Sequence, residues 1–134
     1  MLKNIYTYLI ILFITLSCST NNAEIETINI IDVKTELIHF NFTPATANTP
    51  ENLSYSIKFI NPNVTPILGF YRITIKSTIN NETIESSLLS TSSSECYTID
   101  SDSSCTFSFN ENGDPNLGNV DNIEFVSATY TIDL

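Results

Sequence analysis

Three cysteines carry most of the chemistry that this 134-residue chain could perform: Cys18, Cys96 and Cys105. Cys96 and Cys105 enclose eight residues, YTIDSDSS. A redox-active pair usually sits two residues apart at a helix N-terminus, and a zinc site wants a Cys-x-x-Cys with histidines. Neither pattern is present, and the only histidine is His39. The pair therefore reads as a structural disulfide, stabilising by about 2.5 kcal/mol through the entropy of the closed loop. Cys18 is then the odd one. In an oxidising compartment a leftover thiol is a reactive liability, so Cys18 needs a separate account.

The second set of candidates is acidic. Asp100 and Asp102 in DSDSS, and Asn110, Asn112 and Asp114 in NENGDPNLGNVD, offer the hard oxygen atoms that calcium takes. The last three alternate as EF-hand ligands do, but the glycine falls at Gly113, out of place for that loop. Asn-Gly-Asp-Pro is also ordinary turn chemistry. The expectation is a solvated turn and no resident cofactor. The alternative is a calcium-dependent adhesion or glycan-binding module, although the absence of Trp removes the best sugar-stacking side chain. Catalysis has less support. No GxSxG, HExxH or phosphate-cradling glycine loop occurs, and His39 in ELIHFNF has no identifiable nucleophile beside it. Carboxylate pairs are too numerous in so acidic a chain to nominate one. The reading is non-catalytic.

Charge narrows the partners. Fifteen acids face five bases, a net of -10 and a pI near 4.1, and no Lys or Arg follows Lys76. Such a surface repels phosphate backbones and anionic headgroups. Nucleic acid is therefore excluded as a partner, and attachment to a membrane must be hydrophobic or covalent. A protein or glycan partner stays open.

The N-terminus supplies a covalent route. Lys3 precedes a 12-residue apolar stretch, IYTYLIILFITL, after which the chain turns polar at Ser19, Thr20, Asn21 and Asn22. A membrane-spanning helix takes about 20 apolar residues, so this stretch has the length of a secretory signal core instead. Residues 1–18 resemble the signal peptide of bacterial lipoproteins. Cys18 stands where that family's acylated cysteine stands, with Ser17 as the small residue before it. Where the family favours Leu, Val or Ile and then a small residue, this chain has Thr15 and Leu16. The resemblance implies diacylation of the Cys18 sulfur, stable membrane anchoring and, because Ser19 is not Asp, sorting towards an outer membrane. Cleavage after Ser19 by an ordinary signal peptidase, which discards Cys18, is the rival reading. The expected organisation is a signal peptide at 1–17, a short tether at 18–23 and one domain at 24–134.

That domain must be β-rich. Short alternating runs of Ile, Thr, Val, Phe and Tyr are broken by Asn, Asp, Pro and Ser, and no window has a helical repeat. Strands are expected at 24–33, 36–42, 53–60, 70–79, 82–89, 96–99, 105–110 and 122–132. Seven or eight short strands predict an antiparallel sandwich, immunoglobulin-like in type, with a small closed barrel as the alternative. One hairpin can be specified in detail. Asn80-Asn81 suits a two-residue turn, which pairs Ile79 with Glu82, Ser77 with Ile84, Ile75 with Ser86 and Ile73 with Leu88. That register gathers Tyr71, Ile73, Ile75, Ile84 and Leu88 on one face and Arg72, Thr74, Lys76 and Glu85 on the other. Two prolines place NPNVTP, residues 61–66, in a loop. Its Asn-Pro-Asn resembles the motif of water-stress-type β-sandwich domains of the late-embryogenesis-abundant group; a plain turn is the other reading.

Overall fold

The computed structural model describes residues 29–114 and 120–133. Among them are seven strands and no helix: β1 (Lys34–Thr43), β2 (Asn52–Ile60), β3 (Ile67–Ile79), β4 (Glu82–Leu89), β5 (Thr98–Ile99), β6 (Ser104–Asn112) and β7 (Asn122–Ile132). All pairings are antiparallel. One sheet has the order β1-β2-β6; in the other, β3 is central, with β4 along one edge and β7 along the other. The two-residue β5 continues past the end of β4, pairing Ile67 with Ile99 and Leu68 with Thr98. The sheets stack as a sandwich and do not close into a barrel.

Alternation makes the core. In β2 the odd residues Tyr55, Ile57 and Phe59 are buried, and in β3 Ile67, Tyr71 and Ile73 meet them. The period of two that a strand imposes thus becomes one apolar face per sheet. Aromatic rings fill the gap between the sheets. Phe59 stacks on Tyr71 with centroids 5.1 Å apart, Tyr55 on Phe109 at 5.0 Å, and Phe107 tilts against Tyr71 at 5.1 Å. Gly69 lets β3 and β7 approach closely: a Cβ there would run into the Tyr130 ring and the Thr131 carbonyl.

The Asn80-Asn81 hairpin forms in the expected register, from Ile79↔Glu82 through Ile73↔Leu88. Both asparagines are left-handed, with φ of 51° and 67°, which a type I′ turn demands and Asn tolerates. Two expected strands differ from what is observed. Of the expected strand at 24–33, residues 24–28 lie outside the described residues, and 29–33 pair with no strand. There an asparagine side chain, not a neighbouring strand, satisfies the Ile31 backbone. Of the run at 96–99 only Thr98–Ile99 is strand, because Cys96 turns the chain with φ of 63°. The signal peptide at 1–17, Cys18 and the tether at 18–23 also lie outside the described residues.

Candidate functional site

The strongest concentration of polar structure lies where β2 ends, β3 begins and the β5–β6 loop turns. Asn61 follows β2 directly and is 1% exposed. Its amide nitrogen Nδ2 donates to the carbonyls of Thr65 (2.9 Å), Ile99 (3.2 Å) and Asp100 (2.9 Å). Its Oδ1 accepts from the backbone N–H of Asn63 (2.9 Å) and from Asn63 Nδ2 (2.8 Å). Asn63 reaches the opposite way. Its Oδ1 accepts from the Ile31 N–H at 2.7 Å and its Nδ2 donates to the Ile31 carbonyl at 2.8 Å. That pair of bonds is what an antiparallel neighbour would have supplied, so one side chain stands in for a strand. Backbone bonds complete the clasp: the Asn61 N–H donates to the Ser103 carbonyl and the Asp102 N–H to that of Asn63, both at 2.9 Å.

The disulfide belongs to the same end. Cys96 and Cys105 are bonded, with Cα atoms 5.4 Å apart, which joins the turn before β5 to the start of β6. Tyr130 Oη donates towards the carbonyls of Cys96 (3.0 Å) and Tyr97 (2.9 Å), tying β7 to that turn. Burial pushes the Tyr130 hydroxyl up to about 12. Buried Tyr55 is likewise pushed up to about 12, by burial first and then by the nearby Tyr71 and Glu111.

Asp100 and Asp102 occupy this clasped end, both exposed. Asn110 and Asn112 lie within the far end of the nine-residue β6, a strand about 27 Å long, with Asp114 past it. The five oxygen donors therefore fall into two separate groups. In the distal group Asn52 Nδ2 donates to Asn110 Oδ1 and to Asn112 Oδ1, each at 3.0 Å. Beside them a cleft of about 180 Å³ is lined by Phe42, Leu53, Phe109 and Ile123, with Glu51 and Glu111 at its rim. Glu51 acts as a loop fastener: its Oε2 accepts from the Val120 N–H at 3.0 Å, and its carbonyl accepts from the Gly113 N–H at 2.9 Å. A Cβ at Gly113 would run into the Glu51 side chain, so this glycine serves the loop's close approach. Among the described residues, no three His, Cys, Asp or Glu side chains gather as a metal site would require.

His39 lies exposed on β1, with Nε2 3.3 Å from Ser54 Oγ, and among the described residues no acid bonds to its other ring nitrogen. A shallow groove of about 530 Å³ runs between residues 30–35 and the last five residues of β7. Its polar lining is Asp32, Thr35 and the threonines of β7, which offer no acid–base pair. Asn61 and Asn63 are the residues that sequence reasoning underrated. Their signal was two asparagines flanking a proline directly after an alternating strand, where a buried turn must satisfy its own carbonyls. No protein-family model, curated protein or solved structure matches this chain.

Proposed function

We propose that this chain is a small acidic lipoprotein of a bacterial cell envelope, anchored through Cys18 and carrying a non-catalytic β-sandwich that binds or scaffolds. The observation that carries the reading is the bond between Cys96 and Cys105, which accounts for two of the three cysteines and leaves Cys18 as the third. A disulfide persists in exported proteins and rarely in reducing ones. The 12-residue apolar stretch ahead of Cys18 supplies the export signal, and acylation removes the spare thiol. Ser19, in place of Asp, supports the outer membrane as destination. The domain itself favours binding or scaffolding over chemistry. Among the described residues the buried polar side chains, Asn61 and Asn63, are spent on bonds to the backbone and to each other, and the buried aromatics on packing.

The mass of the mature N-terminal peptide tests the anchor. A first residue at Cys18 bearing acyl chains is the expected result; a chain starting at Thr20, or an unmodified Cys18, contradicts it.

A further inference from the structure

The edge strand β4 is unlike any other strand of the sandwich. All eight of its residues are exposed, and among the described residues it is the terminal strand of its sheet. The register puts Ile84 and Leu88 on the same face as the buried Ile73, yet they are 56% and 40% exposed. Edge strands of soluble proteins are ordinarily guarded by Lys, Pro or a bulge. β4 has no Lys or Pro, its pairing with β3 runs without a register shift, and its two charged residues, Glu82 and Glu85, both lie in its turn-side half.

The hairpin geometry says which backbone groups are on offer. A two-residue type I′ turn makes Ile79 and Glu82 a hydrogen-bonded pair, so Glu82, Ile84, Ser86 and Leu88 turn their N–H and C=O groups towards β3. The Ser90 N–H donating to the Tyr71 carbonyl continues that series. Thr83, Glu85, Ser87 and Leu89 therefore face the open edge with four N–H and four C=O groups.

The side chains along this edge are self-complementary about Ser86. A two-fold axis through Ser86 sets Ile84 opposite Leu88 of the second copy and Ser86 opposite Ser86 on the apolar face. On the other face it sets Glu85 opposite Ser87 and Thr83 opposite Leu89. Apolar meets apolar, no like charges stand directly opposite one another, the two Glu85 side chains being offset diagonally by two residues, and every outward backbone group finds a partner. The adjacent registers are poorer. An axis through Glu85 opposes two carboxylates, and an axis through Ser87 sets Ile84 against Ser90 beyond the strand end. We propose that β4 is a homodimer interface, in which two copies of this chain join edge to edge in the register centred on Ser86. The two β3 sheets then become one continuous sheet, and the stripe of Ile84 and Leu88 doubles across the seam. The inference is independent of the anchoring of Cys18.

Sedimentation of the purified protein across micromolar concentrations, together with S86K and S86C variants, tests this. S86K brings two cations face to face at the axis and leaves the monomer fold untouched, since Ser86 is exposed. The parent protein should sediment at twice the monomer mass, and S86K at half the parent value with an unchanged circular dichroism spectrum. In S86C the two sulfurs lie across the closest kind of antiparallel pair, so mild oxidation should yield a covalent dimer. E85C, offset by two residues from its own copy, should give no more covalent dimer than the parent. A monomeric parent overturns the proposal. So does a dimer that survives S86K, or S86C crosslinking no better than E85C.

Discussion

β3 runs through two different regions, and the contrast between its halves explains much of the molecule. From Ile67 to Ile73 its residues alternate cleanly between buried and exposed, under the β2–β6 sheet and beside the Asn61 clasp. From Thr74 to Ile79 the alternation fades to half-burial, and the strand paired with it, β4, is exposed throughout. The apolar pattern runs through both halves: Tyr71 and Ile73 in one, Ile75 and the nearby Ile84 of β4 in the other, with Leu88 of β4 directly opposite Ile73. Patterning prepares a face; burial depends on whether the opposite sheet reaches it. At one end the chain adds a disulfide and a buried asparagine pair; at the other, β3 stays paired with β7 as far as Thr78, and the edge strand β4 beside it is left exposed.

The largest expected loss comes from breaking the clasp. N61A strands the Thr65, Ile99 and Asp100 carbonyls and two donors on Asn63, and should lower the free energy of unfolding by about 3–5 kcal/mol. Denaturant titration measures it. The two regions can then be compared with one chemistry. I73A removes a side chain that is 1% exposed and should cost about 3–4 kcal/mol, whereas I84A on the same face of the exposed β4 should cost under about 1 kcal/mol. Equal costs would erase the contrast. Reducing Cys96–Cys105 should weaken the clasped end by about 2.5 kcal/mol and lower the thermal midpoint accordingly.

The pH dependence follows the tyrosines. Their hydroxyls ionise at about 10 in the unfolded chain, and Tyr55 and Tyr130 are held up to about 12 in the fold. A raised folded-state value contributes stability that is fully present below pH 10 and is lost as pH rises towards 12. A near-ultraviolet titration should therefore show a late group of tyrosines whose ionisation accompanies unfolding. The smallest effect expected is that of calcium. With Asp100 and Asp102 a strand's length from Asn110, Asn112 and Asp114, calcium and chelator should give the same melting midpoint. A rise with calcium would show that one end alone suffices as a site.

What was legible in the sequence divides along the line between local and distant causes. The hairpin register was legible because Asn80 and Asn81 fix the turn and the turn fixes the pairing. The disulfide followed from two cysteines separated by a loop of workable length in a chain with few other roles for them. The sandwich followed from the number and spacing of alternating runs. Burial was half legible. The face holding Tyr71, Ile73, Ile75, Ile84 and Leu88 exists, but no pattern in β3 or β4 records where the facing sheet stops. The expected strand at 24–33 failed in its described part because Asn63, 32 residues away from Ile31, takes the backbone bonds that a strand would have made. The acidic loops likewise looked close in sequence, and β6 between them sends them to opposite ends.

A pinned, buried end and a thinly covered end thus share one strand, β3. Native-state hydrogen exchange, read residue by residue along β3, tests this most directly. The slowest exchange, close to the global unfolding limit, is expected from Gly69 to Ile73, with protection falling stepwise towards Ile79. Uniform protection from Ile67 through to the Asn80-Asn81 turn would contradict it.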